Sequence, residues 1–463
     1  MLVVSTPSGY EFERSYAFEI VLSDFLGIKW YHEIRDGESI CIHNNEYPGE
    51  IWLPDAFFCK IKNKWLNSDS LPIQPLEKWD SGELSSDISL VNALIPVIYG
   101  NKNPKARVED NIIDLPIDIF GSTYFMLVRY EELVKKERDN HDRFPATASL
   151  AYQEGFLDRP IIDEYVEILM SAIQRLWPHI HRKQISNKQY VTCDVDSPYE
   201  VEFSKYAMLR GIAADVLKRR NPQLALKNFK PRWRAFCGNF NGDPHWENIN
   251  WMMDVNEKAG NRVAFYFIAE HTHPYDARYR MDESGIRQLL HRINSRGHEI
   301  GLHPSYSTYL SPEQMQREAE ILRSTLHHEN ISYAELGGRQ HYLRWRSPQT
   351  ARNWEGSGMS YDSTLTYADC PGFRCGTSRD YTMFDLIERK VMKLKQRPLV
   401  MMEGSIIADQ YMAMGYTDEA LKYMQTLKNN ALSIGGQFTF LWHNSYFHVP
   451  EARYIYENLI SQR

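Results

Sequence analysis

Tyr190-Val-Thr-Cys-Asp-Val-Asp-Ser-Pro198 opens on β-forming residues and closes on a Ser-Pro breaker. It predicts a short buried strand that stops abruptly. Asp194 and Asp196 stand two apart. The side-chain period of a strand is two, so both carboxylates face one side at the strand's end. Like charges that close repel, and one is driven toward its neutral form unless a cation sits beside them. A divalent metal answers this, with one carboxylate as ligand and the other left as a base. The plainer alternative is an Asx-type turn with both aspartates solvated.

Downstream, strands alternate with helices. Arg262 to Ala269 is a near-continuous apolar run suited to a strand buried on both faces. A helix over Asp282 to Ser295 carries Ile286, Leu289, Leu290 and Ile293 on one side, with Gly297 past its end. A strand over Glu299 to His303 is closed by Pro304. Ser311-Pro-Glu-Gln314 is a capping-box start for the next helix. A strand over His341 to Arg346, a short helix from Gln349, and strands over Pro398 to Met402 and Gln437 to Trp442 follow, with a helix over Asp418 to Leu432 between the last two. This βαβα alternation makes the fold class α/β, a parallel sheet or barrel with its functional groups at the carboxyl ends of strands. Asp194, Asp196, His303, Arg346 and His443 all fall at such ends. A lone buried histidine is usually a satisfied core residue; five polar groups in one kind of place point to a site.

Residues 1–188 read as a smaller α+β domain and 189–463 as a second domain. The first holds alternating and aromatic segments, a polar loop over Lys135 to Arg143, and an amphipathic helix from Ile161 to Trp177 ended by Pro178. No cluster in it has catalytic spacing, which suggests recognition or assembly. Of the 463 residues 43% are hydrophobic and 24% charged, as in soluble globular proteins. No apolar run approaches the ~20 residues of a membrane helix. The six cysteines, at 41, 59, 193, 237, 370 and 375, form no zinc-type pair. The N-terminus lacks a basic stretch followed by an apolar one, so a cytoplasmic location is expected. A net charge of −7 argues against nucleic acid as a partner. The 28 tyrosines and 11 tryptophans suit stacking on sugar faces as well as an aromatic core.

Four pieces, Thr192-Cys-Asp-Val-Asp-Ser-Pro198, Gly297-His-Glu-Ile-Gly-Leu-His-Pro304, Trp345-Arg-Ser-Pro348 and Leu441-Trp-His-Asn444, occur in the order of the polysaccharide deacetylase (NodB-homology) family, carbohydrate esterase family four, which the sequence resembles over roughly 189–450. Gly338-Arg-Gln-His-Tyr-Leu-Arg344, Tyr361-Asp-Ser-Thr-Leu-Thr-Tyr367 and Gly372-Phe-Arg-Cys-Gly-Thr377 are similar to an uncharacterised bacterial branch with an extra N-terminal domain, as are Phe125-Met-Leu-Val-Arg-Tyr-Glu-Glu132 and Arg143-Phe-Pro-Ala146. The resemblance implies a deformed (β/α) barrel and metal-dependent removal of N-acetyl or O-acetyl groups from a sugar in a glycan or surface-polysaccharide precursor. It makes Asp194 the base, Asp196 and His303 metal ligands, Arg346 the residue orienting Asp194, and His443 the acid for the leaving amine. Zinc is the expected metal, with cobalt or nickel as substitutes.

The family's second metal histidine, four after the first, is Ser307 here. A neutral hydroxyl is a poor substitute for imidazole on zinc. His298 and His341 have the wrong strand parity. The third ligand is therefore expected from Glu270-His-Thr-His-Pro-Tyr-Asp276, His273 before His271, and then from Ser307 through a water. Arg374, Asp362, Trp345 and Trp442 are candidate sugar contacts. The basic stretch 205–234 suits peripheral contact with an anionic membrane face. Two rival readings remain, a non-catalytic sugar-binding protein on the same fold and a metal-dependent amidase of a small nitrogenous substrate.

Overall fold

Residues 1–184, 187–200, 233–234 and 239–461 are described by the computed structural model. Most of the basic stretch 205–234 lies outside them. The chain begins with β1 (Leu2–Thr6), buried along its whole length. It continues through β2 (Trp30–Ile34), β3 (Ser39–Asn44), β4 (Glu50–Pro54), a hairpin of β5 (Glu77–Asp80) and β6 (Leu94–Val97), then β7 (Arg107–Val108) and β8 (Ile112–Asp114). The first sheet has the order β2-β1-β3-β4-β8-β7. The helix Ile161–Leu176 buries Ile161, Ile162, Tyr165, Val166, Ile168, Leu169, Ala172 and Ile173, the face its apolar spacing predicts.

The second sheet has nine strands. They are β9 (Lys188–Val195), β10 (Val263–Phe267), β11 (Glu299–Leu302), β12 (Gly337–Gly338), β13 (Tyr361–Asp362), β14 (Tyr381–Asp385), β15 (Lys390–Gln396), β16 (Met401–Met402) and β17 (Gln437–Leu441). Their order is β14-β15-β13-β12-β11-β10-β9-β17-β16, and every pairing but β14–β15 is parallel. All five residues of β10 are buried, as a parallel strand covered on both faces requires. The helix Ser284–Ser295 buries Ile286, Leu289, Leu290 and Ile293 completely, and each such side chain contributes roughly 1.5–3 kcal/mol. Ser311 caps the helix Pro312–His328, accepting from Gln314 N at 3.3 Å.

The ladder of this sheet is open, with β14 and β16 at its edges. The loop after β13 bonds to the chain beside β16: Gly372 N donates to Val400 O at 2.8 Å and Ser405 Oγ to Ala368 O at 2.8 Å. β9 has β10 on one side and β17 on the other, and β16, β17, β9, β10, β11, β12 and β13 follow one another across the sheet in a single direction. In parallel α/β sheets the functional groups gather at the carboxyl ends of the strands. One contiguous apolar core runs through both sheets. Among the described residues no helix is long and apolar enough to cross a membrane.

Two expected strands need correction. His341–Leu343 is a 3-10 turn with Tyr342 and Leu343 at φ of 60° and 55°; the strand there is β12, a Gly-Gly pair bonded to β11 at Leu302. The expected strand over Pro398 to Met402 shortens to β16.

Candidate metal centre

β9 sets the first two groups. Asp194 lies opposite Tyr266 in the β9–β10 register, and Asp196 follows the strand's last residue. Asp194 is buried, and its Oδ1 accepts from Arg339 Nη1 at 2.8 Å. Arg339 is itself fully buried. Its Nε donates to Ser363 O at 2.8 Å, and it lies over the Tyr266 ring. Because the strand is β12, the arginine that follows its end is Arg339. Arg346, expected to orient Asp194, lies beyond the left-handed turn and pairs instead with Asp142 at 2.5 Å.

His303 follows β11 directly. Its Nδ1 lies 2.6 Å from Arg339 O, and its Nε2 is 3.3 Å from Asp196 Oδ1 and 3.7 Å from Asp194 Oδ2. His341 reaches the same carboxylate: its Nε2 is 3.7 Å from Asp196 Oδ1, while its Nδ1 is held 2.9 Å from Asp276 Oδ1. Ligand atoms of Asp196, His303 and His341 lie within 4.8 Å of one another. The strand-parity argument against His341 fails because no strand is present there; the turn at Tyr342 re-aims the ring.

His273, the expected third ligand, stacks on Tyr306 with ring centroids 4.4 Å apart. His271 is exposed and bonds to the Asp276 carbonyl, and Ser307 is exposed. The 270–276 loop serves the centre through its carboxylate. Asp276 binds His341 and accepts from the backbone N–H groups of Thr272, His273 and Tyr306. Burial would raise its pKa, but His341 and those donors outweigh this and hold the carboxyl down to about 2.

These donors fit a divalent cation. Two imidazoles and a carboxylate suit zinc and its neighbours. The outer nitrogen of each imidazole is fixed by a carbonyl or carboxylate, as metal-ligating histidines require. Asp196 Oδ1 is buried with no hydrogen-bond partner among the described residues. Burial acts to raise the Asp196 pKa, but His303, His341 and His443 hold it well below the usual carboxylate range.

His443 follows β17, on the other side of β9. Its Nε2 is 3.5 Å from Asp196 Oδ2, and its Nδ1 lies 2.6 Å from Glu403 Oε1, which also accepts from the His443 backbone N–H at 3.0 Å. Glu403 follows β16 directly, opens the helix Glu403–Ile407 and is fully buried. Burial opposes a charge on His443, but Glu403, with Asp196 and Asp194 behind it, outweighs burial and pushes the imidazole up to about 10. The sequence marks Glu403 only as a further strand-end carboxylate; nothing in its spacing ties it to His443, 40 residues on.

The four candidate sugar contacts sit elsewhere. Arg374 is buried against Glu132, at 2.7 Å. Asp362 is buried and accepts from Thr364 N at 2.9 Å; burial pushes its carboxyl up to about 6. Trp345 is buried and donates to Ser347 Oγ at 2.9 Å, and Trp442 is buried and stacked on Phe447. The cavity over the centre has a volume of about 220 Å³, and beside the charged groups it is lined by Tyr342, Tyr411, Tyr446, Gln410 and Arg143.

Residues 2–178 match the model of a family of unknown function, DUF7033. Among solved structures the chain is similar to a "putative polysaccharide deacetylase" from Mycobacterium smegmatis, with 12% identity and a TM-score of 0.39 over 60% of this chain and 83% of that one. No curated protein matches the chain.

Proposed function

We propose that this protein is a metal-dependent deacetylase that hydrolyses the acetamido group of a sugar. The observation that carries the reading is the pair of proton-handling groups flanking the Asp196, His303 and His341 cluster, Asp194 held by Arg339 and His443 held by Glu403. The order of the sequence motifs supports it, as do the tyrosines lining the cavity, whose faces suit sugar rings. The same motif order supports reading the open ladder and its bridging loop as a deformed barrel.

A divalent metal on Asp196, His303 and His341 would supply Lewis acidity, lowering the pKa of water and polarising the acyl carbonyl. Asp194 Oδ1 is occupied by Arg339, which leaves Oδ2 to accept the proton of the attacking water. The water oxygen bonds to the acyl carbon. His443, kept protonated by Glu403, gives its Nε2 proton to the nitrogen as the C–N bond breaks. Acetate and the free amine leave. Splitting the two proton transfers between groups on either side of the cluster spares one residue from doing both.

Incubating the metal-loaded protein with N-acetylated oligosaccharides and assaying released acetate tests this. Acetate release that is lost in Asp194→Asn is expected. No release from any such substrate by protein that carries its metal would contradict the reading.

A further inference from the structure

Arg143-Phe-Pro-Ala146 belongs to the N-terminal region, yet Arg143 lines the cavity over the metal centre. It is the only arginine or lysine among the described residues that does so. The loop that carries it is pinned to the other half of the chain. Arg344 Nε donates to His141 O at 2.7 Å, Arg346 pairs with Asp142, and Ala146 N donates to Asp369 at 3.1 Å. The side chain is held at two points: Nε donates to Asp139 Oδ2 at 2.7 Å and Nη1 to Tyr342 O at 3.0 Å. Its Nη2 makes no hydrogen bond among the described residues, although only 8% of the residue is exposed.

The loop that carries it and the turn it packs on are rich in arginine. Over 138–143 and 344–346, four arginines stand against two aspartates. Arg138 and Arg344 spend their hydrogen bonds on carbonyl oxygens and a tyrosine hydroxyl. A cavity-lining guanidinium anchored through Nε and Nη1 keeps Nη2 as a donor for an oxyanion.

We propose that Arg143 is a specificity determinant lent by the N-terminal region, reading an anionic substituent, carboxylate or phosphate ester, on the sugar that enters the cavity. The substrate class is then an acidic N-acetylhexosamine. This rests on the deacetylase reading for the acyl group, but recognition of the anion can be measured without turnover.

Calorimetric binding to the full chain with its metal would compare three probes: a neutral N-acetylhexosamine, its carboxylated form and its phosphate ester. Arg143→Gln and Arg143→Lys would be run beside the native protein, with metal content and melting temperature as controls. The native protein is expected to prefer an anionic probe, and the better of the two names the anion. In Arg143→Gln the preference over the neutral sugar is expected to fall by roughly tenfold or more, the loss of a charge-assisted hydrogen bond. Arg143→Lys keeps a point charge without the fork and should retain part of the preference. Equal binding of anionic and neutral probes by the native protein, binding of none of them, or an unchanged preference in a folded Arg143→Gln would overturn the inference. Absent acetate release alongside an intact anionic preference would instead count against the deacetylase reading alone.

Discussion

His443 and Glu403 form the contact on which a general-acid role depends. The imidazole's pKa is raised to about 10 because Glu403, together with Asp196 and Asp194, outweighs burial. Its proton therefore persists through neutral pH and is lost only as pH rises through that value. Linkage runs the same way: the stability the pair contributes is complete below the imidazole's ordinary value of 6.5 and disappears as pH rises toward 10. Asp196 has the opposite sign, since its depressed pKa contributes stability that is lost as pH falls. In Glu403→Gln the raising carboxylate is gone. The alkaline limb of the kcat profile should then move to lower pH by about one unit or more. A pH–rate series on that variant checks this, and an unmoved alkaline limb would mean that His443 is not the group that titrates.

At the scale of elements, β12 decides where the site's groups point. Gly338 sits so close to β11 that a Cβ there would lie 1.8 Å from Leu302 O. Gly338→Ala must push the strands apart and should cost on the order of 3 kcal/mol, read as a lowered denaturation midpoint. The same bare backbone explains what the sequence left hidden. β9, β10, β11 and β17 are legible as apolar or β-branched runs, and Asp194, Asp196, His303 and His443 lie near one another because those strands end just before or beside them. β12 has no side chains to give it a period. The strand was therefore expected four residues later, over aromatic residues that in fact form a left-handed turn. That displacement put Arg346 in the place of Arg339 and turned His341 away from the centre. Asp276 and Glu403 escaped for another reason: each acts through a histidine far along the chain, and spacing carries no trace of such a partnership.

Across the whole molecule, the two sheets are joined by buried charge. Glu132 accepts from Arg374 at 2.7 and 2.9 Å and from Arg129 at 2.9 Å. Burial would raise its pKa, but the two guanidiniums hold it down to about 2. The stability it contributes is present above the ordinary 4.5 and is lost as pH falls toward 2. Glu132→Gln leaves two buried arginines short of a counter-charge and should destabilise the protein by roughly 3–5 kcal/mol. Thermal melts over an acid series should show the lower stability and a flatter acid dependence. The same joining of halves brings Arg143 to the cavity and seats a centre drawn from β9, β11, β17 and the turn after β12. Elemental analysis of the purified protein beside His341→Ala and His273→Ala tests that centre most directly. About one divalent ion per chain is expected in the native protein and in His273→Ala, and loss of it in His341→Ala. A full complement of metal in His341→Ala, or none in the native protein after supplying zinc, cobalt or nickel, would contradict the Asp196, His303 and His341 centre.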